Sequence, residues 1–147
     1  MAGLHATRHL VDRLFGELRF VPVLQHVALS NKHIHSPNMG PYALLEFEPK
    51  NEGDVEATKA AFLKSLDRGV YNLADHYFLW FWQNLPPVEV LDLILTLAIP
   101  KNLLDDHYFL FPLFTWRALE WLGAEYTFIL MRPVVRYVSI IVVRNWA

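Results

Sequence analysis

The sequence predicts an all-α fold, a helical bundle that forms a single domain over residues 1–147. Apolar residues recur at helical spacing from residue 54 onward, and Gly and Pro residues separate these segments. No segment shows the Gly-punctuated alternation of a sheet of hairpins. The 147 residues are 54 % hydrophobic and 19 % charged, so the chain can bury a sizeable core and is not generally disordered.

The N-terminal part, residues 1–29, contains a predicted helix at 4–20 and a second short helix at 23–29. In the first helix, apolar residues form one face and charged residues the other. Pro22 is expected to separate the two helices. Residues 30–53 follow as a long loop with three prolines and two glycines. Loops of this length inside a domain are usually functional or mobile.

Residues 54–147 are predicted to form the bundle, because start and stop signals flank each apolar segment. Asp54 and Asn102 are the expected N-caps, and Gly69 and Gly123 the expected C-terminal signals. Pro100 is expected to end the third helix, and Pro133 to kink the last one. The predicted helices are 54–68, 70–85, 88–99, 103–122 and 125–145.

The pentapeptide DHYFL occurs at residues 75–79 and again at 106–110, with an offset of 31 residues. Each copy is predicted to begin the second helix of an α-hairpin, which gives repeat units of 54–85 and 88–122. Parallel stacking of the hairpins would separate His76 from His107 by about 10 Å. A pseudo-twofold arrangement would let the two rings converge on one metal ion.

Composition excludes several classes of function. The net charge of −2 provides no basic excess for nucleic acid. The absence of Cys excludes disulfides, thiolate nucleophiles and iron–sulfur ligation. There is no Gly-rich phosphate loop, nucleophile elbow or HExxH motif. Arg132, Pro133 and Arg136 interrupt the longest apolar stretch, so a buried core helix is favoured over a membrane segment. Without a secretory signal pattern, the expected compartment is the cytoplasm.

Seven histidines are about twice the ordinary share for this length, and six of them occur in pairs. His33 and His35 form an H-x-H on the long loop, an arrangement that suits a metal. The DHYFL copies place His76 and His107 at equivalent positions, where core packing is the alternative to ligation. The pair His5 and His9 is interpreted as solvent-exposed, with a metal clamp as the alternative, and His26 as structural.

The first functional hypothesis is a metal-dependent redox enzyme, or a subunit of one, that acts on a bulky apolar or aromatic substrate. The expected metal is iron rather than zinc. The alternatives are a haem with an axial His and with Arg117, Arg132 or Arg136 available for its propionates, or no cofactor at all. Tyr77 and Tyr108 are the candidate catalytic residues, and Trp80, Trp116 and Arg117 the candidate substrate-binding residues. The candidate metal ligands are imidazoles and carboxylates: His33, His35, His76, His107, Asp75 and Asp106.

The last third of the chain resembles the closing helices of the questin oxidase-like helical proteins. The resemblance lies in HYF at 107–109, TWRALE at 115–120, Gly123 and LMRPVVRY at 130–137. It implies oxygen-dependent oxidation of a bulky aromatic substrate. Those proteins are much longer, so the chain would be a fragment, a split subunit or unrelated. No catalytic residue is carried over from this resemblance.

The second hypothesis is a non-catalytic α-helical subunit that packs into a larger assembly. The high apolar content would then reflect an interface as well as a core. The expected partners are a second copy of the chain or another subunit, bound through apolar helices. Metal content and oligomeric state separate the two hypotheses.

Overall fold

The computed structural model describes residues 2–34, 46–102 and 106–139, with the side chains of residues 2 and 32–34 left out. It confirms the all-α prediction, because the described residues contain seven α-helices and no strand. Chain length alone predicts one domain, whereas the contacts divide the chain into two compact units. We call Met1–Leu45 the N-terminal unit and Glu46–Ala147 the C-terminal unit.

The N-terminal unit contains two helices that pack against each other, α1 (Ala2–Arg13) and α2 (Phe20–Ile34), joined through a 3₁₀ turn at Gly16–Arg19. The prediction of one helix over 4–20 is therefore wrong. The helix ends before Gly16, which has the left-handed φ of +57° that glycine adopts without strain. Pro22 lies in the first turn of α2, where a missing N–H removes no helical hydrogen bond. Because α2 continues to Ile34, the predicted loop starts too early.

Five helices form the C-terminal unit. The helix α7 packs against the four others. In addition, α3 packs against α4, and α5 packs against α6. A short 3₁₀ turn at Ala124–Tyr126 precedes α7. The five helices are α3 (Val55–Asp67), α4 (Tyr71–Asn84), α5 (Pro87–Lys101), α6 (His107–Leu122) and α7 (Thr127–Val138).

Most helix ends follow the local signals in the sequence. The Ala57 N–H donates to Asp54 Oδ1 at 2.8 Å, which confirms the predicted N-cap of α3. Gly69 ends α3 with a φ of +72°, in a Schellman arrangement in which Val70 N–H donates to Ser65 O.

Several predicted helix ends need correction, and one belongs to the helix predicted over 125–145, which begins at Thr127 after a 3₁₀ turn and ends at Val138. The helix α5 passes the predicted stop and ends at Lys101, so Pro100 lies in its last turn. The helix α6 begins at His107 rather than at residue 103, and residues 103–105 lie outside the described part of the chain. Asn102 is the C-cap of α5 and Asp106 the N-cap of α6, so the predicted N-cap is wrong, although Asn102 Oδ1 accepts from the Phe109 N–H in the first turn of α6 at 3.1 Å.

The apolar core lies in the C-terminal unit. Phe62 on α3 and Phe81 on α4 are fully buried and pack edge to face, with ring centroids 5.4 Å apart. Burying an aromatic or branched apolar side chain contributes about 1.5–3 kcal/mol, so this cluster is the main source of folding free energy. The other fully buried apolar residues include Leu66, Phe78, Ile94, Val135 and Val138.

The two DHYFL copies occupy different places in their helices. The copy at 106–110 begins α6, as predicted, with Asp106 just before the first helical residue. The copy at 75–79 lies inside α4, one turn after the helix begins at Tyr71, so that part of the prediction is wrong. The predicted repeat units correspond to the helix pairs α3–α4 and α5–α6. Their origin by duplication stays a prediction.

Among the residues that the structure describes, no helix is long and apolar enough to cross a membrane.

Candidate functional site

Asp75, Arg132 and Arg136 form a carboxylate–guanidinium cluster between α4 and α7. The Asp75 side chain is 0 % exposed, and its Oδ2 accepts from Arg132 Nη2 at 3.3 Å and from Arg136 Nη2 at 3.0 Å. Arg132 is 2 % exposed, whereas Arg136 is partly open to solvent. Two cations therefore share one carboxylate oxygen, and the cluster carries a net positive charge.

Aromatic rings enclose the cations of this cluster. The Arg132 guanidinium lies 4.3 Å from the ring centroid of Phe47 and 5.1 Å from that of Phe128. The Arg136 guanidinium lies 5.1 Å from the ring centroid of Tyr71. Such cation–π contacts stabilise a partly desolvated charge. Burial raises the pKa of Asp75, and the two guanidiniums oppose this rise. The buried Oδ1 atom accepts no hydrogen bond from the described residues.

His76, the next residue on α4, is tied to residues 46–53, which we call the strap segment. Its Nδ1–H donates to Glu48 O at 2.7 Å, and the Lys50 N–H donates to His76 O at 3.1 Å. The Phe47 ring meets the His76 ring edge to face at 4.8 Å. Donation from Nδ1 leaves the lone pair of a neutral ring on Nε2, the tautomer that metal-ligating histidines commonly have.

Tyr77 is also bound to the strap segment, and its ring is buried. Its hydroxyl donates to Glu52 Oε1, and Lys50 Nζ lies 3.3 Å from the same carboxylate oxygen. The Tyr77 hydrogen bond and then Lys50 lower the pKa of Glu52, because both stabilise its charged form. Burial, followed by the hydrogen bond to Glu52, raises the pKa of Tyr77. A phenol with a raised pKa that donates to a carboxylate is suited to a structural role, which here is to hold the strap segment against α4.

His107 and Tyr108, the corresponding pair of the second copy, have other neighbours. The exposed His107 ring lies 4.9 Å from the Phe111 ring and 6.2 Å from the Tyr137 ring. Tyr108 is buried, with its ring centroid 5.1 Å from that of Tyr137. Asp106 makes no side-chain cap bond to α6. The described surroundings of His76 and His107 thus share no residue.

The predicted metal site lies only partly within the described residues. His35 and the side chain of His33 lie outside them, and His76, His107, Asp75 and Asp106 lie inside. Within residues 2–34, 46–102 and 106–139, no three His, Cys, Asp or Glu side chains form a group that could hold a metal ion. The metal centre with His33 and His35 stays a prediction. The arginines considered for haem propionates contact carboxylates, Asp75 for two of them and Glu120 for Arg117.

Two further histidine predictions concern the N-terminal unit. His5 and His9 lie one turn apart on α1, and their ring centroids are 4.5 Å apart in an edge-to-face arrangement. His26 on α2 lies against Gly3, where an added Cβ would be 3.0 Å from its Nδ1. Because Gly3 has no side chain, α1 can approach α2 closely at this point. This packing agrees with a structural role for His26.

A small pocket of about 170 Å³ opens in the C-terminal unit, and we call it the indole pocket. Among the predicted substrate-binding residues, Trp116 lines it, whereas Trp80 packs against Phe81 and the core, and Arg117 is exposed. The candidate catalytic residues Tyr77 and Tyr108 do not line it. The lining residues are Trp82, Pro87, Trp116, Leu119, Glu120, Ala124 and Thr127.

Sequence reasoning missed Trp82, Glu120 and Thr127 as pocket residues. Trp116 and Glu120 are spaced i, i+4 on α6 and share a helix face, a signal that could have joined them. Trp82 and Thr127 belong to α4 and α7, and no sequence pattern indicates that these helices meet α6 there.

Comparison with known proteins finds no matching family model, no matching curated protein and no matching solved structure. The resemblance to questin oxidase-like proteins stays a prediction. A function for this chain is therefore argued from the geometry of its own residues.

Proposed function

We propose that the protein is a non-catalytic α-helical subunit that self-associates through its N-terminal unit. The observation that carries this proposal is the exposure of large apolar side chains over residues 10–29. Phe20, Leu24 and Val27 follow the i, i+4, i+7 spacing of one stripe on α2, and each is well exposed. The other exposed apolar residues of this stretch are Leu10, Phe15, Leu18, Val21, Val23 and Leu29.

The described part of the N-terminal unit contains almost no buried core. Among its described side chains, the one buried residue is Pro22. Folded units of this size usually need disulfides, a metal or association with another chain, and the sequence contains no Cys. A second copy would supply a second helical hairpin, and four helices can enclose an apolar core. Twofold association is the most frequent symmetry of homo-oligomers.

The charges in this region favour a protein partner over an anionic membrane. Residues 10–29 contain two acidic residues, Asp12 and Glu17, and two basic residues, Arg13 and Arg19. Helices that bind anionic lipid usually carry an excess of Lys and Arg on their polar face. A balanced set of charges around an apolar stripe suits a helix–helix interface.

Sedimentation of the full chain over a range of concentrations tests the proposal. We expect a species of twice the chain mass, and a monomer for Leu24→Lys, because the new charge would be desolvated in the interface. Leu24 is 66 % exposed in the single chain, so this change should leave the helices intact, as judged by circular dichroism.

Val88→Lys is the matched control, because Val88 is 55 % exposed and lies on α5 of the C-terminal unit. This variant should associate like the wild type. A wild-type chain that stays monomeric, or a Leu24→Lys variant that associates as well as Val88→Lys, would contradict the proposal.

A metal-dependent redox activity is the second candidate function, favoured by the tautomer of His76. Donation from Nδ1 to Glu48 O presents the Nε2 lone pair to a metal ion. Metal analysis of the purified chain tests this candidate. Iron near one ion per chain that is lost in both His76→Ala and His107→Ala would support it, and unchanged metal content in the two variants would contradict it.

A further inference from the structure

The lining of the indole pocket is almost entirely apolar, and its residues include two tryptophans and one glutamate. Trp82 comes from α4 and Trp116 from α6, and both are partly buried. Glu120 is the one charged residue among those that line the pocket, and its side chain is 47 % exposed. With a volume of about 170 Å³, the pocket is smaller than the roughly 300–1,000 Å³ of sites for drug-sized ligands. A ligand that fits must be small.

We propose that the indole pocket binds a small organic cation, an alkylated ammonium group with a compact apolar body. Indole is the aromatic side chain that attracts such cations most strongly, because its ring face is electron-rich. The methyl groups of the cation would contact the apolar walls formed by Pro87 and Leu119. The carboxylate of Glu120 would supply the opposite charge at the rim of the pocket.

The charges around the pocket agree with a cationic ligand. Arg117 Nη1 lies 3.1 Å from Glu120 Oε2, in an ion pair whose two side chains are about half exposed. Such pairs are weak, so the carboxylate can also bind a ligand cation. Glu125 adds a second carboxylate, which lies against Gly123 next to the lining residue Ala124. Of these three charged residues, Glu120 and Glu125 are acidic and Arg117 is basic.

Thr127 indicates a second feature of the ligand. Thr127 lines the pocket and is 1 % exposed, yet its Oγ1 has no hydrogen-bond partner among the described residues. Threonine in a helix divides between two rotamers, and rotation about χ1 exchanges the positions of its methyl and hydroxyl groups. A hydroxyl on the ligand would satisfy this buried oxygen. An alkylated ammonium that also carries a hydroxyl combines both features.

Choline is the probe with this chemistry, and its neutral isostere 3,3-dimethylbutan-1-ol has the same shape and hydroxyl. Each compound is titrated into the full chain at constant ionic strength and followed by the indole N–H signals in NMR spectra. We expect choline to shift the signals of Trp82 and Trp116, and to bind about tenfold more tightly than the isostere. Equal affinity for the two compounds, or no binding of choline, would overturn the proposal.

Variants locate the binding site. Trp116→Leu should abolish the binding of choline, and Glu120→Gln should weaken it about tenfold. Glu56→Gln is the control, because Glu56 is an exposed carboxylate on α3 that does not line the pocket, and this variant should bind like the wild type. Unchanged affinity in Trp116→Leu, or binding of neutral indole in place of choline, would overturn the proposal. This test concerns the C-terminal unit and does not depend on self-association.

Discussion

Asp75 on α4 and Arg132 on α7 form a buried ion pair in which Oδ2 and Nη2 are 3.3 Å apart, although 57 residues separate them in the chain. Arg136, one turn further along α7, donates to the same oxygen. The pair therefore fixes the rotation of α7 against α4. Removing one member of a buried pair leaves the other charge without compensation, which makes this contact a sensitive point of the fold.

Asp75→Ala should lower the free energy of unfolding by about 3–5 kcal/mol, because the buried guanidinium of Arg132 would lose the Asp75 carboxylate that offsets its charge. Urea unfolding followed by circular dichroism measures this loss. Asp92→Ala is the matched control, since Asp92 is an exposed residue of α5, and it should change the free energy by about 0.5 kcal/mol or less.

Asp75→Asn should be less harmful than Asp75→Ala. The amide keeps an acceptor oxygen for the two guanidiniums, and burial already disfavours the charged form of Asp75, as its raised pKa indicates. A loss for Asp75→Asn as large as that for Asp75→Ala would show that the negative charge, rather than the acceptor, is what the arginines need.

The contact of Glu52 with Tyr77 should make stability depend on acidity. The pKa of Glu52 is lowered from 4.5, so its contribution to stability is fully present above pH 4.5 and is lost as the pH falls through the folded-state pKa. The stability difference between wild type and Glu52→Gln should be constant near neutral pH and should shrink in acid. Urea unfolding at a series of pH values measures this difference.

Tyr77→Phe serves as the control for the acid effect, because it removes the first cause of the lowered pKa and leaves Lys50 in place. The acid dependence attributable to Glu52 should be smaller in this variant than in the wild type. An equal dependence in both would contradict the role of the Tyr77 hydroxyl.

Local features of the fold could be predicted from the sequence because they depend on neighbouring residues. Asp54 caps α3 and Gly69 ends it, since a side-chain acceptor and a positive φ act within one turn. Gly16 is the same kind of helix-ending residue, with a positive φ. The apolar stripe continues past it, however, so the sequence pattern predicts one helix over 4–20. Pro100 and Pro22 do not break their helices, since both lie in terminal turns.

Long-range contacts could not be predicted in this way. Arg132 interrupts an apolar stretch of the sequence, but nothing in the sequence indicates that Asp75 is one of its partners. Because the two DHYFL copies are identical, the sequence predicts equivalent surroundings for His76 and His107. The structure gives His76 the strap segment and His107 the ring of Tyr137 as neighbours, because packing depends on the facing element as well as on the repeated residues.

His76→Ala should loosen the strap segment. The variant loses the hydrogen bond from Nδ1 to Glu48 O and the ring contact with Phe47, so we expect a loss of about 1 kcal/mol in unfolding free energy. Amide exchange at Lys50 should become faster, because its N–H donates to the backbone of His76. Gln83→Ala, on an exposed position of α4, is the control. Unchanged exchange at Lys50 in His76→Ala would contradict this role.

Gly123→Ala should lower the free energy of unfolding by about 1–3 kcal/mol, because Gly123 has a φ of +113° and a ψ of 154°, a conformation open essentially to glycine alone. An added Cβ would also collide with the carboxylate of Glu125. The double variant Gly123→Ala with Glu125→Ala separates the two causes, since it removes the collision and keeps the backbone strain. Thermal and urea unfolding should show that the double variant stays destabilised relative to Glu125→Ala alone. Full recovery in the double variant would assign the loss to the collision instead.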